Sequence, residues 1–153
     1  MSKLIIGLDP DSKSHGVAVY VDGNLEHLKC LQIMQINELL TELFEHYHAE
    51  EITLHIEDVC ANNHVFMKAG RMDKKREAEA KARGRTLGLC QQAQKEVERV
   101  FEYYGIKIVK HKISKTWKKE KAQFQKITGW KGKSNEDTRS SAYFGWLGCK
   151  AAQ

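Results

Sequence analysis

Hydrophobic positions change their period several times along the chain, and each change marks an element. Leu4-Ile5-Ile6-Gly7-Leu8 is a continuous apolar run of the kind that forms a buried central strand. Gly16 to Val21 is a second apolar run. Asp22-Gly23-Asn24 then supplies a tight turn into a third strand, Leu25 to Ile33, antiparallel to the second. Ile36, Leu39, Leu40, Leu43, Phe44 and Tyr47 recur at intervals of three and four, which predicts an amphipathic helix with Asn37 as N-cap. Ile52 to Ile56 is β-rich and alternating, and ends at Glu57-Asp58.

Between 60 and 83 the pattern dissolves into polar and basic residues, which predicts a mobile or partly helical excursion. Leu87, Cys90, Ala93, Val97, Val100 and Phe101 restore helical spacing from about Gly84, and Gly105 stands where a helix closes. Ile106 to Val109 predicts another strand. A Lys-rich segment with a helical pattern at Trp117, Phe124 and Ile127 follows, then a loop from Gly129 to Lys133. A last helix, capped by Ser134 or Asn135, runs to about Gly148.

The order β-β-β-α-β-α-β-α predicts an α/β fold with a mixed five-stranded sheet and helices on both faces. No linker, repeat or low-complexity segment interrupts it, so residues 1–153 read as a single domain.

Composition narrows the class. The chain is 41% hydrophobic and 29% charged, which favours a folded soluble domain over disorder. No apolar run approaches the ~20 residues of a membrane span. The apolar N-terminal run is too short for a secretory signal and is interrupted by Asp9, so the expected compartment is cytoplasmic, in a bacterial or phage-infected cell. Cys30, Cys60, Cys90 and Cys149 form no CxxC pair and are read as small buried hydrophobes. Neither a GxGxxG nor a Walker loop is present, which argues against a nucleotide cofactor.

Charge is the first functional signal. The net value is +5, but it is unevenly placed. Lys68 to Arg85 holds eight basic and three acidic residues, and Lys107 to Lys133 holds ten Lys and one Glu. Two basic segments on an otherwise acidic chain point to a polyanionic partner with a localised footprint. Solvated helix faces would be the plainer explanation.

Three acids occupy the ends of predicted elements. Asp9 ends the first strand, Glu57 ends the fourth, and Asp137, with Glu136 beside it, lies in the first turn of the last helix. Parallel central strands would bring Asp9 and Glu57 to one rim, where the last helix can add Asp137. Singly, each acid could be a turn residue, a solvated strand end or a helix-dipole partner. Together they would repel one another unless a cation lies between them. Hard divalent cations take oxygen ligands, and two such ions can activate water and stabilise the leaving oxygen of a phosphodiester.

These residues carry a resemblance. The stretch from Leu4 to Val19, with Gly-Leu-Asp-Pro at its centre, looks like the first strand and hairpin of the RuvC family of Holliday-junction resolvases, within the RNase H-like superfamily. His55-Ile-Glu57-Asp-Val, Val65-Phe-Met-Lys, Gly84-Arg-Thr-Leu-Gly88, Lys121-Ala-Gln-Phe-Gln and Asn135-Glu-Asp-Thr-Arg-Ser-Ser-Ala-Tyr follow in the family's order. The resemblance implies a homodimer that cuts four-way DNA junctions symmetrically with Mg²⁺ or Mn²⁺, two ions being expected. It implies metal ligation by Asp9, Glu57 and Asp137, and a phosphate contact by Lys121 that stabilises transition-state charge.

Two positions depart from the family pattern. A second acid three residues after the first is usual on the last helix, and here that position is Ser140. Glu136 compensates, or the register is shifted by one. Asp11 stands where Gly is common and is left outside the ligand set.

In the basic excursion, Phe66 and Met67 are candidate wedges between bases or packing residues at a dimer contact. Lys68, Arg71, Lys74, Lys75 and Arg76 are candidate phosphate contacts, as are Lys118 and Lys119 in the second basic segment. Trp117 and Trp130 are read as packing residues, with nucleotide stacking the alternative. The competing functions are an RNase H-like nuclease acting on another nucleic acid and a binding module with weakened catalysis.

Overall fold

The computed structural model describes residues 3–61 and 73–153. Five strands, β1 (Leu4–Asp9), β2 (His15–Val21), β3 (Asn24–Leu31), β4 (Ile52–Glu57) and β5 (Lys107–His111), form one sheet in the order β3-β2-β1-β4-β5. Strand β2 runs antiparallel to β1 and β3, whereas β1, β4 and β5 are mutually parallel. The helices are α1 (Ile33–Leu43), α2 (Lys74–Tyr103), α3 (Lys121–Thr128) and α4 (Glu136–Ala151). The expected mixed sheet is present, and the Lys-rich segment contributes α3 as a separate short helix.

Period-two alternation divides the strands between two cores. Leu4, Ile6, Leu8, Val17, Val19, Leu54 and Ile56 meet Ile36 and Leu40 of α1 and Val97 and Phe101 of α2. Ile5, Ala18, Tyr20 and Leu28 turn the other way, towards Trp117, Phe124 and Ala142. The second face carries small residues because α4 lies directly on it. A Cβ at Gly7 would stand 2.0 Å from the Ser141 carbonyl oxygen, and one at Gly16 would stand 2.3 Å from that of Asp137. Tyr20 Oη reaches up to donate to the Ala142 carbonyl at 2.6 Å.

Several expected boundaries move. Helix α1 begins at Ile33, after an N-cap at Gln32, so Asn37 lies inside it and accepts a hydrogen bond from Tyr104 Oη at 2.6 Å. The amphipathic spacing located the buried stripe but not the polar first turn. Helix α2 begins ten residues before Gly84, at Lys74, with Asp73 accepting from the Arg76 amide at 2.8 Å. Its first half is exposed, and without an apolar stripe it leaves no periodic signal. The cysteines are less buried than expected, Cys30 being exposed and the other three intermediate. Among the described residues no helix is long and apolar enough to cross a membrane.

Candidate active site

The β1–β4 register builds the centre of the site. Leu8 pairs with Ile56, so the next residues, Asp9 and Glu57, emerge side by side from parallel strands at one rim. Alternation turns both towards α4. Asp9 is 6% exposed and Glu57 4%. Gly16 pairs with Asp9 across the β1–β2 hairpin, and its missing side chain lets the first turn of α4 settle against the rim, bringing Asp137 in.

Glu57 is held on its C-terminal side as well. Asp58 donates its amide to the His111 carbonyl at 2.8 Å. Gln94, fully buried on α2, donates to Asp58 and Glu98, 3.0 Å each, and accepts from the Cys60 amide at 3.0 Å. Lys110 closes the network on Glu98 at 3.3 Å.

Burial and mutual charge perturb the acid pair. Burial pushes the Asp9 carboxyl up, opposed by the Lys118 ammonium and by the neighbouring Ser140 and Glu57 side chains. Burial also pushes Glu57 up, to about 8, reinforced by the charge of Asp9 and a proton shared with it. Asp9 Oδ2, Glu57 Oε2 and Ser140 Oγ are sealed from solvent without a hydrogen-bond partner of good geometry. Buried oxygens of this kind are costly unless a cation or proton answers them. Lys118 Nζ, 3.6 Å from Asp9 Oδ2, is the nearest cation. Burial works to lower the Lys118 pKa, but Asp9, Glu57 and Asp137 outweigh it and hold the ammonium charged.

Asp137 is half-buried on the margin. Its pKa is raised first by burial and then by Asp11, whose charge acts on it more strongly than those of Lys118 and Glu136. Asp11 sits in the β1–β2 turn, where its amide donates to His15 Nδ1 at 3.2 Å and its Oδ1 accepts from the Ser12 amide at 2.7 Å. Among the described residues, no three carboxylate, imidazole or thiol groups converge closely enough to grip a metal ion as they stand. The donor set nevertheless suits a hard cation, since the two orphaned buried oxygens belong to adjacent carboxylates.

The structure thus unites Asp9, Glu57 and Lys118 and sets Asp137 beside them. Glu136 is exposed on the outer side of the first turn of α4. Lys121 is exposed at the start of α3 and makes no ion pair with these acids, whereas Lys118, grouped by sequence with the DNA contacts, does. Lys74, Lys75 and Arg76 occupy the exposed first turn of α2, and Lys119 is exposed beside Lys118. Phe66, Met67, Lys68 and Arg71 lie outside the described residues. A cleft of about 490 Å³ opens at Glu57 and continues along α2 past Arg83, Thr86, Leu87 and Cys90.

The sequence reading did not foresee the roles of three residues. Lys118 is one of ten lysines in its segment, with nothing local to distinguish it. Ser140 gave only the absence of an acid. Arg139 did carry a signal, as a cation in the N-terminal half of the last helix, next to the small and apolar run from Ser140 to Gly148.

No family model matches the chain, and no curated protein matches it by sequence. Solved structures do match. RuvC of Thermus thermophilus in complex with a Holliday junction substrate is 12% identical, with a TM-score of 0.58 over 98% of this chain and 95% of that one. A second Thermus thermophilus RuvC structure is 11% identical, with a TM-score of 0.58 over 97% and 95%. The mixed sheet and its flanking helices define an RNase H-like α/β fold. Within that class the fold is RuvC-like, as the sequence resemblance implied.

Proposed function

We propose that this protein is a metal-dependent endonuclease that cuts branched DNA, with the four-way junction as its preferred substrate. The observation that carries the reading is the buried Asp9–Glu57 pair, side by side at one rim, with the Lys118 ammonium against Asp9. Likeness to a RuvC bound to a Holliday junction supports the substrate class.

Asp9, Glu57 and Asp137 would hold Mg²⁺ or Mn²⁺, two ions in the full site, with Glu136 or Asp11 as the further carboxylate. Such ions, when bound, supply a water nucleophile at neutral pH and neutralise charge at the scissile phosphate. Glu57, whose carboxyl is raised by burial and by Asp9, would bind such an ion as the carboxylate. Lys118 is placed to offset negative charge at the phosphate, and Lys121 would meet the backbone further out. Lys74, Lys75, Arg76 and Lys119 hold the flanking phosphates, which makes binding salt-dependent and largely indifferent to sequence. A homodimer fits a two-fold junction with two cuts to make.

The test is cleavage of an end-labelled immobile junction with Mg²⁺, Mn²⁺ or EDTA, with Asp9→Asn in parallel. Paired symmetric nicks that need both metal and Asp9 are expected. Metal-dependent cleavage without junction preference would keep the site and change the substrate. A second reading, a binding module with weakened catalysis, draws on the buried Ser140 beside Asp9, where the family has an acid. Tight junction binding with no cleavage under either metal would favour it.

A further inference from the structure

We infer that Arg139 is a positioning residue that sets Lys118 against Asp9 by clamping the backbone of the 115–120 turn. Arg139 is 8% exposed on α4 and has no carboxylate partner among the described residues. Its guanidinium is used on main-chain oxygen instead. Nε donates to the carbonyls of Trp117 and Lys118 at 3.0 and 3.1 Å, Nη2 donates to the Lys118 carbonyl, and Nη1 donates to Ser134 Oγ at 3.0 Å. A planar fork of donors holds two successive carbonyls in one fixed orientation, whereas the rotatable donors of an ammonium impose none.

The turn needs such a clamp. Trp117 has φ of 69°, a left-handed conformation that a bulky side chain rarely adopts. Its ring is buried against Phe124, Tyr143 and Trp146, which fixes the residue from one side. Arg139 fixes the backbone from the other. Between them the chain reverses, and Lys118 leaves the turn with its ammonium 3.6 Å from Asp9 Oδ2. Lys119, one residue on and outside the clamp, is exposed. Arg139 touches neither Asp9 nor Glu57 through any hydrogen bond or ion pair, so its influence on the site runs through Lys118.

The inference shares the nuclease reading only in its kinetic arm. The primary test needs no activity. Wild type, Arg139→Gln and Arg139→Lys are treated with a limiting amine-acylating reagent, and each lysine's labelling is read by peptide mass spectrometry, with thermal melting as the control for folding. Wild-type Lys118 should label slowly relative to Lys119. In Arg139→Gln its labelling should rise several-fold as the released side chain swings out of contact with Asp9, while Lys119 and Lys121 stay unchanged. An unchanged Lys118 in a folded Arg139→Gln overturns the inference.

If Arg139→Gln does not fold, Arg139→Lys decides. It keeps the charge and loses the fork, so a selective rise at Lys118 supports the clamp and no rise overturns it. On a cleaved junction, Arg139→Gln and Lys118→Met should each lower kcat about 10²-fold with KM unchanged, and the double variant should be no worse than Lys118→Met. Additive losses would overturn the route through Lys118. Failure of the wild type to cleave at all would count against the nuclease reading and leave the labelling result to judge Arg139.

Discussion

The two faces of the sheet come from the same five strands but use their side chains for different ends. One face closes over an apolar core, with Leu4, Ile6, Leu8, Leu54 and Ile56 against Leu40 and Phe101. The other holds two carboxylates, a histidine, a tyrosine and two glycines beneath α4. Apolar burial stabilises at about 25 cal/mol per Å². Burying Asp9 and Glu57 does the reverse and raises the pKa of both. Both faces therefore carry an apolar core, and the second also holds charges where water would otherwise disperse them.

Paired substitutions across the sheet give the largest expected contrast. Asp9→Asn should lower junction cleavage at least about a hundredfold while melting holds or rises, because a buried charge is removed. Leu54→Ala, on the apolar side of the neighbouring strand, should cost about 2–5 kcal/mol and leave cleavage per folded molecule nearly unchanged. Cleavage assays with matched melting curves check both. A Leu54→Ala that abolished cleavage while folded would break the division of labour.

Gly16→Ala tests the contact that joins α4 to the rim. The new methyl would collide with the Asp137 carbonyl, so stability should fall by about 1–3 kcal/mol and cleavage should fall further than that loss accounts for. Ala at Gly23, where no atom lies within 4 Å but φ is +84°, should cost stability alone.

pH separates the buried groups by sign. Glu57 rises from 4.5 to about 8 on folding, so its stabilising protonated form is fully present below pH 4.5 and is lost as pH climbs through 8. Metal-free protein should lose stability over that range, Glu57→Gln should flatten the slope, and Mg²⁺ should reverse it by displacing the proton. His55 moves the other way. Burial and the neighbouring His111 lower it from 6.5 to about 4, so stability is lost as pH falls between those values. Melting against pH with each group substituted separates the two slopes.

The smallest effect concerns the further carboxylate. Asp11→Asn should weaken Mn²⁺ binding several-fold more than Glu136→Gln, since Asp11 acts more strongly on Asp137. Calorimetric titration of both variants checks this, and the reverse order would restore Glu136 as the compensating acid.

Local pattern by itself determined the strands, the hairpin, the last helix and the face to which each side chain turns, because period and turn chemistry act over a few residues. It also placed Asp9 and Glu57 at strand ends, and parallel pairing carried them to one rim. The start of α2 was not legible, since an exposed polar helix has no apolar stripe to announce it. Nor were the partners of the acids. Lys118 is one lysine among many until a left-handed turn and Arg139 aim it at Asp9, and Asp11 is a turn residue until Gly16 lets α4 approach. These are contacts between residues far apart in the chain, and only chain folding decides which charges meet inside a poorly solvated rim.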